Sequence, residues 1–223
     1  MAKKQAANTE ENSTRDRILQ ATVELMAEVG IDRMRTRAIA ERAEVNPALI
    51  HYHFNSMAAL SMEAAQHALI AELGPSIDVL ESAATIDEGL RAMLEWIERE
   101  GQRTPGVTIL AEAMVKATRD PEFRRWSRNA SRRFRALILE RLEAARGRGE
   151  IDASLNLPAT AVLLAAALDG LLFHHLVDGT LDVVQTIEPI EAMLRPPPRR
   201  TRARRRGKQR KTEAQADGSA SRG

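Results

Sequence analysis

Arg35 to Phe54 reads RTRAIAERAEVNPALIHYHF, and this stretch decides the fold. Arg35-Thr36 can cap a short helix whose apolar positions Ile39, Ala40 and Ala43 share one face. Glu44-Val45-Asn46 interrupts that spacing, and Asn46-Pro47 is a start signal for a second short helix. Asn caps, and Pro at the first helical position lacks only an N–H that the helix could not have used. Val45, Leu49 or Ile50, and Phe54 are the inward residues expected of this second helix. Two short helices about a four-residue turn make a helix-turn-helix, whose second helix can enter the DNA major groove.

The flanks extend the pattern. Upstream, Ser13-Thr14-Arg15-Asp16 matches a capping box in its Asp variant. Ile18, Ala21, Thr22, Leu25, Met26 and Val29 then recur on one helical face until Gly30. Arg15 and Arg17 either reach a phosphate or remain solvated. Downstream, Ser56 can cap a helix to about Leu73 with Met57, Leu60, Ala64, Ala68 and Ala71 inward, and Gly74-Pro75 predicts a break or bend.

Residues 14 to 71 resemble the N-terminal domain of TetR-type transcriptional regulators. The resemblance rests on Arg17-Ile18-Leu19, Ala21, Val29-Gly30, Thr36-Arg37, Ile39-Ala40, Ala43, Val45-Asn46, Tyr52-His53-Phe54, Ser56 and Leu60. It implies an all-α protein: an N-terminal three-helix domain with the helix-turn-helix, then a helical core for ligand binding and dimerisation. The expected divisions are an unstructured arm over 1–12, a DNA-binding domain over 13–72, a core over 73–195 and a basic tail over 196–223. Two departures matter. The family's turn Gly is Glu44 here, which costs about 1 kcal/mol if the backbone is left-handed. The family's phosphate-binding Lys after Phe-x-Ser is Met57.

The residues expected at DNA are Arg35, Thr36, Arg37, Asn46, Pro47, Ala48, His51, Tyr52 and His53. Arg37 can reach a guanine edge or a phosphate, Thr36 a phosphate, and Pro47 and Ala48 a thymine methyl. His51 and Tyr52 can donate to phosphate or base; Tyr52 half-buried against the bundle is the competing reading. So few amide or Arg side chains on that helix leave room for shape and water to contribute.

Residues 73 to 195 continue as helices. Thr85-Ile86-Asp87-Glu88 is a capping box before the stripe Ile86, Leu90, Met93, Leu94, Ile97. Thr104-Pro105 opens a helix with Ile109, Leu110, Ala113 and Met114 inward. Asp120-Pro121-Glu122 starts a long one carrying Phe123, Trp126, Ala130, Phe134, Leu137, Ile138 and Leu142. The last two run from Ala159 to Val177 and from Leu181 or Asp182 to Leu194. The resemblance implies an effector pocket among the middle helices, for which Met93, Trp96, Met114, Trp126 and Phe134 are candidates against an ordinary core role. It also implies that the final two helices pair with their two-fold mates. Leu164, Leu168, Leu171, Leu172 and His175 are the expected interface, against a central helix in a monomeric core.

Composition narrows the alternatives. The absence of Cys removes disulfides, thiolate metal sites and cysteine nucleophiles. The N-terminus lacks a secretory apolar stretch, and Asp169 with His174-His175 interrupts the most apolar region, so no membrane span and a cytoplasmic location are expected. Adjacent histidines point about 100° apart on a helix, so no metal or other cofactor is expected. No catalytic order of residues stands out. The reading is a homodimeric regulator of a palindromic DNA operator, a repressor released by a small-molecule effector. Its rivals are a nucleoid-type architectural binder and an α-helical enzyme or carrier.

Charge is unevenly placed. Residues 196–223 carry +8, so the other 195 residues sum to −6 within a chain of +2. The nine basic residues at 199–211 are therefore expected to hold phosphates loosely, without reading sequence. If about half engage one duplex, deleting 196–223 flattens the slope of log K against log salt by roughly four units per tail. A salt titration of the truncated chain on operator and random duplexes checks this; an unchanged slope would show that the tail floats free.

Overall fold

The computed structural model describes residues 2–101 and 104–196. Within them lie nine α-helices and no strand: α1 Ala2–Val29, α2 Thr36–Arg42, α3 Pro47–His53, α4 Met57–Ser82, α5 Ile86–Glu100, α6 Pro105–Ala117, α7 Pro121–Arg148, α8 Leu157–Val177 and α9 Ile187–Leu194. The basic tail lies outside the described residues beyond Pro196.

Most start signals work as their chemistry dictates. Thr85 and Glu88 form the reciprocal capping box of α5. Asp120 accepts the Glu122 and Phe123 N–H groups at 2.8 and 3.2 Å, and Gly149 ends α7 at φ 74°. Asn156 caps α8 by accepting the Ala159 N–H at 3.2 Å, and Ser56 caps α4 by accepting the Ala59 N–H at 3.0 Å.

Several expectations are corrected. The helix over 1–12 begins at Ala2, because the segment lacks Gly and Pro and is rich in the helix formers Ala, Lys, Gln and Glu. Ser13 is therefore an interior residue of α1. Val29, Ala71 and Ala130, expected inward, are exposed. The chain does not break at Gly74-Pro75; α4 continues to Ser82. Pro75 removes one bond to the carbonyl of Ala71, a residue on the exposed side of α4. The boundary drawn at 72/73 thus falls inside one helix. The last helix starts at Ile187, after a 3-10 turn over Val184–Thr186.

Two buried clusters organise the molecule. One joins α1, α2, α3 and Leu60, Ala64, Ala65 and Ala68 of α4 to Ile109 and Ala113 of α6 and Phe123 of α7. The other joins Leu80, α5, α8, α9 and Ile138, Leu142 and Ala145 of α7 to Val107 of α6. Each fully buried Leu or Ile contributes about 1.5–3 kcal/mol.

The turn between α2 and α3 is a Schellman motif. The Val45 N–H donates to the Ala40 carbonyl at 3.0 Å and the Glu44 N–H to the Glu41 carbonyl at 3.2 Å. Closing it needs a left-handed residue, and Glu44 sits at φ 55°, the one non-glycine with positive φ among the described residues. Glu44→Gly should therefore stabilise the fold by about 0.5–1 kcal/mol, while Glu44→Ala should bring no such gain. Chemical denaturation midpoints of the two variants check this; equal midpoints would place the strain elsewhere.

Candidate nucleic-acid interface

The α2–α3 pair is built on Ile39, Ala40, Ile50 and Phe54, all buried. Leu49 is 37% exposed, so Ile50 is the inward residue of α3. Arg35 holds the N-cap position of α2 without a side-chain bond, and Thr36 is already helical, so neither caps it through its side chain. The Arg35 guanidinium instead donates to the Met34 carbonyl at 3.2 Å. Arg35 and Arg37 are exposed and Thr36 is half-buried. Asn46 Oδ1 accepts the Ala48 N–H at 2.9 Å, which commits that oxygen to capping α3. Pro47, Ala48, His51 and Tyr52 are exposed along α3. Tyr52 is 70% exposed with its ring edge-on to His53 at 5.1 Å, so it is not half-buried against the bundle. His53 is half-buried beside Phe54.

Ion pairs brace this unit. Arg15 pairs with Glu63 and lies over the Phe54 ring, 5.1 Å from its centroid. Arg17 is exposed. Arg42 makes a two-pronged bond to Glu28 at 2.6 and 2.8 Å, tying α2 to α1. That bond holds the Glu28 carboxyl below the usual carboxylate range and raises the Arg42 guanidinium. Met57 is half-buried against the N-terminal cluster and supplies no charge.

A second tie, unread from the sequence, joins the α1–α2 loop to α6. Glu112 accepts the Ile31 N–H at 2.7 Å, and Lys116 pairs with Asp32 while lying 5.4 Å from the Phe123 ring centroid. Gly30 makes the approach possible. Its φ is +87°, and a Cβ there would sit 3.0 Å from Glu112 Oε1. A cleft of about 580 Å³ opens here, with Ile31, Asp32, Glu112, Lys116, Asp120 and Phe173 in its wall. Beside it runs a narrow apolar gap between α6 and α8, which shares Ala111 and Phe173 with the cleft.

The expected effector residues divide between the two clusters. Met93, Trp96 and Phe134 pack in the C-terminal cluster, Trp126 packs against the N-terminal one, and Met114 is half-buried. None lines the cleft or the gap. The expected dimer residues are also displaced. Leu164, Leu168, Leu172 and His175 are buried within their own chain, and Leu171 packs against the same cluster. The opposite face of α8 is the open one, with Val162 and Leu163 about half exposed and Val177 at 86%. A helix apolar on all sides carries no signal that selects between two faces. For the same reason α8 is, among the described residues, long and apolar enough to cross a membrane, although one face is packed into the core.

His174 is exposed while His175 is buried with Nδ1 3.3 Å from the Leu181 carbonyl oxygen, so the two do not converge. Burial pushes the Asp169 carboxyl up, and the Arg135 charge partly offsets this.

Comparison with known proteins agrees with this architecture. Residues 18–64 match the family model for bacterial regulatory proteins of the tetR family, and residues 86–196 that of the BetI-type transcriptional repressor C-terminal domain. The transcriptional regulator UidR of Escherichia coli K12 is 28% identical over 167 residues, spanning 74% of this chain and 82% of UidR. The putative transcriptional regulator SCO7518 of Streptomyces coelicolor superposes with a TM-score of 0.66 at 27% identity, over 81% of this chain and 98% of its own. A putative regulator from Saccharomonospora viridis, solved in complex with choline, superposes at 0.67 and 22% identity, over 80% and 93%. With both matched segments on one chain, and a helix-turn-helix presenting an open α3, this protein belongs to the tetR family and is a DNA-binding transcriptional regulator.

Proposed function

We propose that the protein is a homodimeric cytoplasmic repressor that reads a palindromic operator through α3 and is released by a small-molecule effector. The observation that carries this is the exposed strip Pro47, Ala48, His51 and Tyr52 on a helix held rigidly by Ile50, Phe54 and the Asn46 cap. Arg35, Thr36 and Arg37 at the start of α2 hold the backbone, and the strip meets base edges. The nucleoid-type reading draws on the tail charge alone and leaves this strip unused.

The open apolar face of α8 is proposed to be covered by a second copy. Val162, Leu163 and Val177 form that seam, and a two-fold axis through it sets the spacing of the half-sites. The effector is proposed to enter the cleft beside Phe173 and widen the gap between α6 and α8. The Saccharomonospora viridis neighbour's complex with choline supports a small organic ligand. Displacing α6 moves Glu112 and Lys116, and with them the loop that carries Arg35.

Arg37→Ala and Tyr52→Ala should each weaken operator binding by about 1–3 kcal/mol, roughly 5- to 150-fold, with helicity intact. Titration of a duplex selected from a random pool measures this, and unchanged binding by both variants would reject the docking. Leu163→Glu should give a folded monomer by sedimentation and circular dichroism. Leu168→Glu should lose helicity instead, because it places a charge in the core. The opposite pattern would return the seam to the buried face.

A further inference from the structure

The first half of α7 carries a basic face that the helix-turn-helix does not use. Arg124, Arg128, Arg132 and Arg135 recur at helical spacing, and with Arg125 they fall within an arc of roughly 100° and a length of about 16 Å. Arg124, Arg125, Arg128 and Arg132 are exposed. Arg124 is fixed by donating to the Ala117 and Thr118 carbonyls at 3.0 and 2.7 Å. Arg125 stands 4.0 Å from Glu122, with both side chains open to solvent. Arg135 is half-buried and shares its charge with Asp169. Arg128 and Arg132 form no ion pair among the described residues.

This concentration opposes its surroundings. Residues 119–135 hold seven Arg against Asp120 and Glu122, a net of +5, inside a body that sums to −6 without the tail. Arginines four apart on one helix repel, and Arg124/Arg128/Arg132 repeats that arrangement twice. A polyanion lying along the face relieves the repulsion.

The position of the face selects the polyanion. Phe123 belongs to the buried cluster that holds Ile39 and Ile50, and Trp126 packs against it; both project from the side of α7 opposite the arginines, so they fix the helix with its basic face turned outward. Asp120 and Pro121 line the same cleft as Ile31 and Asp32, immediately before Arg33, Arg35 and Arg37 in the chain. The helix that carries the basic face therefore starts at the cleft it shares with the α1–α2 loop. We infer that it is a second phosphate-contacting surface, which takes the backbone of duplex DNA flanking the operator. Guanidinium groups suit this role because each can grip a phosphate in two places without reading sequence. The inference rests on the DNA-binding reading and extends it outward from the site.

The test uses the full chain and the triple variant Arg125→Gln, Arg128→Gln, Arg132→Gln, with helicity checked by circular dichroism. Three duplexes are titrated across salt: the operator alone, the operator with long flanks, and a long random sequence. Binding to the short operator is expected to be unchanged. On both long duplexes the salt slope should flatten by about two to three units per protomer, at about 0.9 for each phosphate no longer neutralised. Equal slopes for variant and wild type on the long duplexes would overturn the inference, even with operator binding intact. If the wild type selects no operator, the operator reading fails and the random duplex still decides this one. A wild type that sediments with phosphatidylglycerol vesicles while the variant does not, with equal DNA slopes, would assign the face to lipid and overturn it too.

Discussion

Helix α6 is the constraint on which the two halves of the molecule depend. Within thirteen residues it places Val107 in the C-terminal cluster and Ile109 and Ala113 in the N-terminal one. Close-packed interiors transmit displacement because they do not deform continuously. Its Glu112 and Lys116 hold the loop that leads into α2, so any shift of α6 reaches the DNA-facing end by two polar bonds as well as by packing. Helix α4 is the second connection, and its passage through Pro75 keeps it continuous between the clusters.

What was legible in the sequence is what local chemistry decides. Asn46-Pro47, Ser56, the Thr85 box and Asp120-Pro121 each name a helix start within a few residues, and each is found. The left-handed turn could be read through Glu44, because the motif's geometry fixes the conformation whatever residue fills it. The exposed side of α3 was legible as well, except that Tyr52 needed coordinates to separate outward from half-buried.

What was not legible depends on contacts between distant parts. The bond from Ile31 to Glu112 spans two elements and leaves no periodic trace. Which face of α8 stays inside is set by α7 and α5, and α8 is too apolar all round to record the choice. The candidate effector residues share only large size and helical spacing, features that any core satisfies. Of the break or bend expected at Gly74-Pro75 the break does not occur, and the segment before Ser13 is helical, for a common reason: propensity is a weak prior, and neighbouring helix formers outweigh it.

The chemistry of α3 bears on how this protein achieves specificity. Bidentate pairing to a base edge needs an amide or a guanidinium, and the exposed strip offers Pro, Ala, His and Tyr. Pro47 and Ala48 suit a thymine methyl, and His51 and Tyr52 each supply one ring donor. The discrimination available from such contacts is smaller than from two or three bidentate pairs of about 1–3 kcal/mol each. Phosphate contacts then set much of the affinity, and in the proposed docking the exposed Arg35 and Arg37 are placed to fix the register of the short strip. In that regime the deformability of the site contributes to recognition at positions that no side chain touches. Basic surfaces outside the groove raise the affinity for every duplex and add nothing to the ratio between them. On the proposed reading, selectivity is therefore confined to the few residues of α3 and to the half-site spacing that the proposed two-fold axis imposes.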